Sequence, residues 1–121
     1  MRQFFLILIG VAILFFNTSN SIQKCDDFNG DLGASYEAIK KLEQIEFHFS
    51  DSFETDKIFG IKSAEFFSCD NESGYMVVRN GSSSKLYENI PVALWNQFKI
   101  NSAVDNFYKS EIQNSERYTY R

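Results

Sequence analysis

Between Ser35 and Arg121 the spacing of apolar residues switches from three to two and back to three, and each switch predicts an element. Tyr36, Ile39 and Leu42 recur at helical spacing, which predicts a short helix from Ser35 to Leu42. Ser35 is placed to cap it, and Glu37 sits at pairing distance from Lys40 or Lys41. Ile45, Phe47 and Phe49 then alternate with Glu46, His48 and Ser50, the period of a strand with one buried face. From Ser63 the chain reads as strand: Phe66 and Phe67 lead into Cys69-Asp70, and Asn71-Glu72-Ser73-Gly74 forms a turn. Tyr75 to Arg79 is a compact strand, Asn80-Gly81 is a strong hairpin signal, and Ser84 to Glu88 returns with Leu86 and Tyr87 on opposite faces. Helical spacing resumes at Pro91, a residue suited to a first helical turn, with Pro91, Leu94, Trp95 and Phe98 on one stripe. Ser102-Ala103-Val104-Asp105 has the form of a capping box and opens a second helix with Val104, Phe107, Tyr108 and Ile112 inward. Tyr118-Thr119-Tyr120 alternates like an edge strand. The expected fold class is α+β: a short N-terminal helix and strand, then a three-stranded antiparallel meander followed by two helices.

The pattern ahead of these elements is different in kind. Met1-Arg2 is basic, Phe4 to Phe16 is unbroken apolar, and Asn17 to Ser21 is polar and small. That order is the one found in a secretory signal peptide. As a helix the apolar run rises only about 20 Å, short of the roughly 30 Å hydrocarbon core that a retained anchor must cross. Ser19 and Ser21 suit the two small-residue subsites of a signal peptidase, so residues 1–21 are expected to be removed and the mature chain to start at Ile22. Lipid attachment at Cys25 needs a small residue before it, and Gln23-Lys24 stands there instead. The expected product is exported, periplasmic or secreted, with no stable membrane insertion after cleavage.

Composition sharpens this picture at two points. With 13 Phe, 6 Tyr and 1 Trp in 121 residues, the chain has the apolar bulk to fold as one small domain. The formal charge of -4 is concentrated in residues 22–61, where acids such as Asp31, Glu37, Glu43, Glu46, Asp51 and Asp56 outnumber lysines. Nucleic-acid affinity rests mainly on phosphate neutralisation, and no basic excess is present to supply it. An acidic face is either simply solvated or suited to a partner with a basic surface.

Little in the sequence has the pattern of reaction chemistry. The two cysteines, Cys25 and Cys69, are either a disulfide or two thiols, one of them buried, and export favours the bridge. No Cys/His cluster offers a zinc site, and the acids of Asp26 to Gly33 lack the closing glutamate and flanking helices of a calcium loop. No metal and no cofactor is expected. The single histidine, His48, falls on the wet side of its strand without a partner for base catalysis. Ser82, Ser83 and Ser84 form a turn-side run with no histidine near in sequence, so no catalytic residue is assigned.

Residues 63–121 resemble the KTSC domain, found at the C-terminus of some lysyl-tRNA synthetases and in small stand-alone bacterial proteins. Cys69-Asp70 stands where that family has Tyr-Asp, Asn80-Gly81 matches its turn, and Ile90-Pro91 matches its Val-Pro. Trp95 takes an aromatic helix position, Phe107-Tyr108 with Ile112 resembles its late aromatic pair, and Tyr118-x-Tyr120 matches its closing motif. Three positions depart from the pattern. Lys85-Leu86-Tyr87 has lost one aromatic of a Tyr-x-Tyr, Asp105 replaces a turn glycine, and Cys69 replaces a tyrosine in a way that suits pairing with Cys25. The resemblance implies a division into residues 22–61, an acidic N-terminal segment, and residues 62–121, a KTSC-like domain. It also implies RNA binding by analogy, against which the missing aromatic, the acidic balance and export all weigh.

The expected function is that of a small exported, non-enzymatic binding module, in its most concrete form an envelope inhibitor or immunity-type protein. Its acidic half is expected to face a protein partner with a basic surface. The candidate binding residues are Glu37, Glu43, Glu46 and Tyr87, the last expected to keep its hydroxyl at the surface. Trp95, Phe107 and Tyr108 are expected to fill the core.

Overall fold

A computed structural model describes residues 23–120, and the expectations for a cleaved leader and for the Ile22 start lie outside that range. The elements run β1 (Gln23–Lys24), α1 (Ser35–Leu42), β2 (Ile45–Glu46), β3 (Phe49–Glu54), β4 (Ser63–Ser68), β5 (Ser73–Asn80), β6 (Ser83–Pro91), α2 (Val92–Ile100) and α3 (Val104–Phe107). A π-helical turn, Tyr108–Gln113, continues α3, and single 3-10 turns occur at Cys25–Asp27 and Glu116–Tyr118. The α+β class is as expected. The sheet is larger than expected: β3-β4-β5-β6 form a four-stranded antiparallel meander, not a three-stranded one.

The extra strand comes from the region where a single strand was expected over Ile45 to Phe49. That stretch is interrupted at Phe47-His48, and the two halves pair with different partners. β2 lies parallel to β1, whereas β3 runs antiparallel to β4 from Phe49 opposite Ser68 to Glu54 opposite Ser63. Ile45 and Phe47 pack into one hydrophobic cluster, while Phe49 and Phe53 pack against the other. The alternation of apolar and polar residues therefore continues across a change of face.

Each face of the sheet has its own apolar layer, because successive strand residues point to opposite sides. Ala64, Phe66, Met76, Val78 and Tyr87 point to the face covered by α2 and α3, where Trp95, Phe98, Val104, Tyr108 and Ile112 complete a buried cluster. The indole of Trp95 stacks on Phe66 with centroids 5.3 Å apart, and Phe53 meets Phe98 edge-on at 5.1 Å. Val77 and Leu86 point to the other face, where Leu32, Ala38, Leu42 and Ile45 form a smaller cluster under α1.

The turns show where local chemistry was read correctly and where it was displaced. The β5–β6 hairpin forms, with Asn80 paired to Ser83, so the two-residue loop is Gly81-Ser82. Gly81 has φ +63° and Ser82 is not left-handed, which is the II′ pattern, not the I′ pattern of a central Asn-Gly. At the start of β5 a Cβ on Gly74 would lie 2.0 Å from the Phe67 carbonyl oxygen, so only glycine fits. Pro91 ends β6 and immediately precedes α2, one residue before its expected place.

Neither expected helix cap is made. Ala34 is the N-cap residue of α1 and Ser35 is already its first helical residue, so the Ser35 hydroxyl is not in the capping position. At α3, Asn101 Oδ1 accepts the Ala103 N–H at 2.8 Å. Asp105 cannot complete the expected box, since its carboxylate is taken by the Ile61 N–H and the Lys57 ammonium, a charge-assisted pairing stronger than a cap. The closing Tyr118-Thr119-Tyr120 strand reduces to one bridge, Thr119 opposite Tyr87.

Cys25 and Cys69 are joined in a disulfide, with Cα atoms 5.6 Å apart. It ties the start of the described chain to the end of β4, across the α1 side. His48 is exposed and donates from Nδ1 to the Cys69 carbonyl oxygen at 2.8 Å, so it braces the same corner.

Candidate functional site

A groove of about 530 Å³ opens where α1 meets the β6 edge of the sheet. Tyr36 and Ile39 form one wall, Lys85, Leu86 and Tyr87 the other, and Tyr120 one end. β6 has a sheet partner on one side only, since the strand order ends with it. On its outer side the chain terminus covers it briefly: the Tyr120 N–H donates to the Leu86 carbonyl at 3.4 Å, and the Tyr120 hydroxyl donates to the Gly33 carbonyl at 2.7 Å. Tyr120 thus links the loop before α1 to the strand across the groove.

Tyr87 and Tyr120 bring phenol hydroxyls to the groove. Tyr87 is buried, not surface-facing as expected, and its hydroxyl hydrogen-bonds the Tyr108 hydroxyl with the rings edge-on at 5.9 Å. The hydroxyl turns inward because Tyr87 lies on the α3 face of the sheet, opposite Leu86, where Tyr108 offers the only polar end this phenol needs. Burial pushes both phenols above their ordinary range, most strongly for Tyr108. Tyr120 is raised by burial and then by the nearby carboxylates of Asp31 and Glu88. None is therefore an anion near neutral pH. The groove presents aromatic and aliphatic carbon, hydroxyls and the Lys85 side chain.

The four sequence-derived candidates do not form one site. Glu37 lies in the first turn of α1 beside the groove residue Tyr36, and Tyr87 lies deep in the groove lining. Glu43 follows the last turn of α1 and Glu46 lies in β2, and neither lines the groove. All three glutamates are exposed, and none forms an ion pair among the described residues.

Sequence reasoning missed Tyr36 and Tyr120 as groove residues. Tyr36 shares its helical spacing with Ile39 and Leu42, yet it is 82% exposed. The helix instead buries Ala38 and Leu42, an i, i+4 pair whose first member is small enough to let α1 approach the sheet. The signal was Ala38, which hydrophobic spacing alone underweights.

Asp51 and Asp105 carry structural contacts. Asp51 accepts from the Trp95 indole N–H at 3.0 Å and from Lys99 at 2.6 Å, and these contacts hold its carboxyl below the usual range. Lys57 beside Asp105, helped by the Ile61 N–H, does the same there. Among the described residues no group of three or more His, Cys, Asp or Glu is placed to hold a metal ion. No helix among them is long and apolar enough to cross a membrane, and the disulfide is consistent with an oxidising, exported location. No family model matches the chain, and neither a curated protein nor a solved structure matches it.

Proposed function

We propose that the chain is an exported, non-enzymatic binding module that engages a protein partner with a basic surface, as an envelope inhibitor or immunity-type protein does. The observation that carries this reading is the placement of Glu37, Glu43 and Glu46. They are exposed, without ion pairs among the described residues, and set in α1, just after it and in β2, elements that the small apolar cluster packs against the sheet. Carboxylates held on a rigid surface steer a basic partner into register at little ordering cost. The neutral hydroxyls and carbon surface of the adjoining groove fit the same reading. Residues 62–121, the KTSC-like part, then act as scaffold.

The test is a paired variant, Glu43→Lys with Glu46→Lys, measured against the partner recovered from envelope extract. Association is expected to slow about tenfold at low salt, with the melting temperature unchanged. An unchanged association rate removes the acidic face from the contact. Salt-sensitive gel-shift binding to RNA would favour the analogy with the synthetase-linked domain instead.

A further inference from the structure

At the hairpin end of the sheet the apolar layer stops and a polar cleft opens. Val78, Asn80, Ser83 and Lys85 point to one face of the β5–β6 hairpin, because Asn80 pairs with Ser83 and Val78 with Lys85. Met76 and Val78 are buried in the main core, whereas Asn80, Ser83 and Lys85 are exposed. The π-helical turn changes in the same way: Tyr108 and Ile112 are buried, while Lys109 and Gln113 beside them are exposed. The cleft between them has a volume of about 320 Å³. Ile61 and Val78 form its floor, Asn80 and Lys85 one side, and Lys109 and Gln113 the other. In the π turn the Asn114 N–H donates to the Lys109 carbonyl, five residues back, at 3.2 Å. Such turns are rare and recur at functional sites.

Charge in and behind the cleft is positive on balance. Lys85 and Lys109 form no ion pair among the described residues. Asp105 is the one carboxylate in the lining, and it is already bonded to Lys57 at 2.5 Å and to the Ile61 N–H at 2.9 Å. Lys57 belongs to the β3–β4 loop, Thr55 to Lys62, which backs the cleft. At its end Lys62 Nζ donates to the Lys57 carbonyl, a bond that leaves the ammonium charge uncancelled. Four ammonium groups thus stand against one carboxylate. The other acids of these elements lie elsewhere. Glu111, two residues from Lys109, is on the far side of its turn, and Asp56 is exposed outside the lining. Glu54 lines a separate depression beside Arg79, and Glu88 lies near Tyr75 and Tyr120 on the α1 side.

Shape and charge together select the ligand. A polyanion or an anionic bilayer would also meet the acids of a chain of formal charge -4. A compact anion seated in the cleft feels mainly the lysines, since exposed charges beyond about 10 Å are screened. Lysine ammoniums are point charges that suit the tetrahedral oxygens of a phosphate. No arginine lines the cleft to offer the planar fork that pairs with a carboxylate. The Asn80 and Gln113 amides can donate to further oxygens, and the Ile61–Val78 floor offers carbon to an organic group.

We propose that this cleft binds a small phosphate monoester, with its phosphate between Lys85 and Lys109 and its organic part over Ile61 and Val78. The site is separate from the Glu43 and Glu46 face and does not depend on a protein partner there.

The experiment titrates the purified, disulfide-bonded protein with phenyl phosphate, inorganic phosphate and benzoate, followed by amide chemical shifts and calorimetry. Phenyl phosphate is expected to saturate with a Kd of about 1 mM or tighter and to move the Lys85, Lys109 and Gln113 amides. Lys85→Met and Lys109→Met should each weaken it about tenfold with the melting temperature unchanged, and Lys24→Met on β1 should leave it as in wild type. Inorganic phosphate that binds as tightly as phenyl phosphate overturns the monoester, because the organic part then adds nothing. Benzoate that binds as tightly overturns the phosphate. The proposal also fails if no shift saturates, or if binding is indifferent to both lysine variants. Tighter, lysine-dependent binding to RNA or to anionic vesicles would overturn it in favour of a polyanion or a membrane surface.

Discussion

The two faces of the sheet are stabilised by different means. The α2–α3 face is closed by large interlocking aromatics: Phe66, Trp95 and Phe98 are fully buried, and Tyr87 meets Tyr108 across the layer. The α1 face offers a smaller set, with Leu32, Ala38, Leu42 and Ile45 against Val77 and Leu86. Burial scales with apolar area, so the second layer contributes less per element. Its helix has eight residues and, like α2, no side-chain cap. A short uncapped helix is marginal by itself, and here a covalent bond from Cys25 to Cys69 holds the adjoining chain in place. A small domain can thus close one face by packing and the other by packing plus a crosslink, and the groove between α1 and β6 adjoins the crosslinked face.

The largest test of this contrast is Trp95→Ala. It removes the side chain that stacks on Phe66 and bonds Asp51, and should destabilise by about 3–5 kcal/mol in denaturant melts. A loss below about 1 kcal/mol would show that the aromatic layer does not dominate. Next in size, replacing Cys25 and Cys69 by serine should cost about 2–4 kcal/mol. The contrast also predicts where that loss appears: amide exchange should accelerate in α1 before it does in α2. Uniform acceleration across both faces would mean that the layers unfold as one unit.

Acid provides the smallest and finest test. Asp51 and Asp105 brace the α2–α3 side, and Asp70 accepts the Glu72 and Ser73 N–H groups in the turn beside Cys69. All three carboxyls are held below their ordinary range, Asp51 chiefly by Lys99, Asp105 chiefly by Lys57, and Asp70 by its backbone donors. A lowered folded pKa contributes stability that is fully present above the unfolded value near ~3.9 and is lost as pH falls through the folded value. Melting temperature should therefore be insensitive to these groups from pH 5 to 8 and fall below about pH 4. Asp51→Asn should flatten the acid fall for the aromatic side, and Asp70→Asn should flatten it for the disulfide turn. Equal acid slopes in wild type and both variants would remove these carboxylates from the account.

Several local features were readable in residue order. Asn80-Gly81 marked the hairpin, Pro91 fell one residue ahead of α2, and the spacing of Trp95 and Phe98 marked the buried stripe. The cysteine pair also followed from the even count and the expectation of export. Errors gathered where a residue had a choice of partner. Asp105 had the spacing of a cap, yet a loop far away in sequence offered an ammonium and an N–H together. Tyr87 had the look of a surface phenol until Tyr108 came opposite it. The Ile45–Phe49 alternation was real, but its two ends face different clusters.

The sequence by itself determined the α+β class, the hairpin and the identity of most core residues, because turn chemistry and hydrophobic period act within a few neighbours. Only the tertiary structure decided the fourth strand, the groove between α1 and β6, and the clamp that Asp105 places on the Thr55–Lys62 loop. Each of those depends on which distant groups meet, and local spacing carries no information about a hydrogen-bond partner 44 residues away.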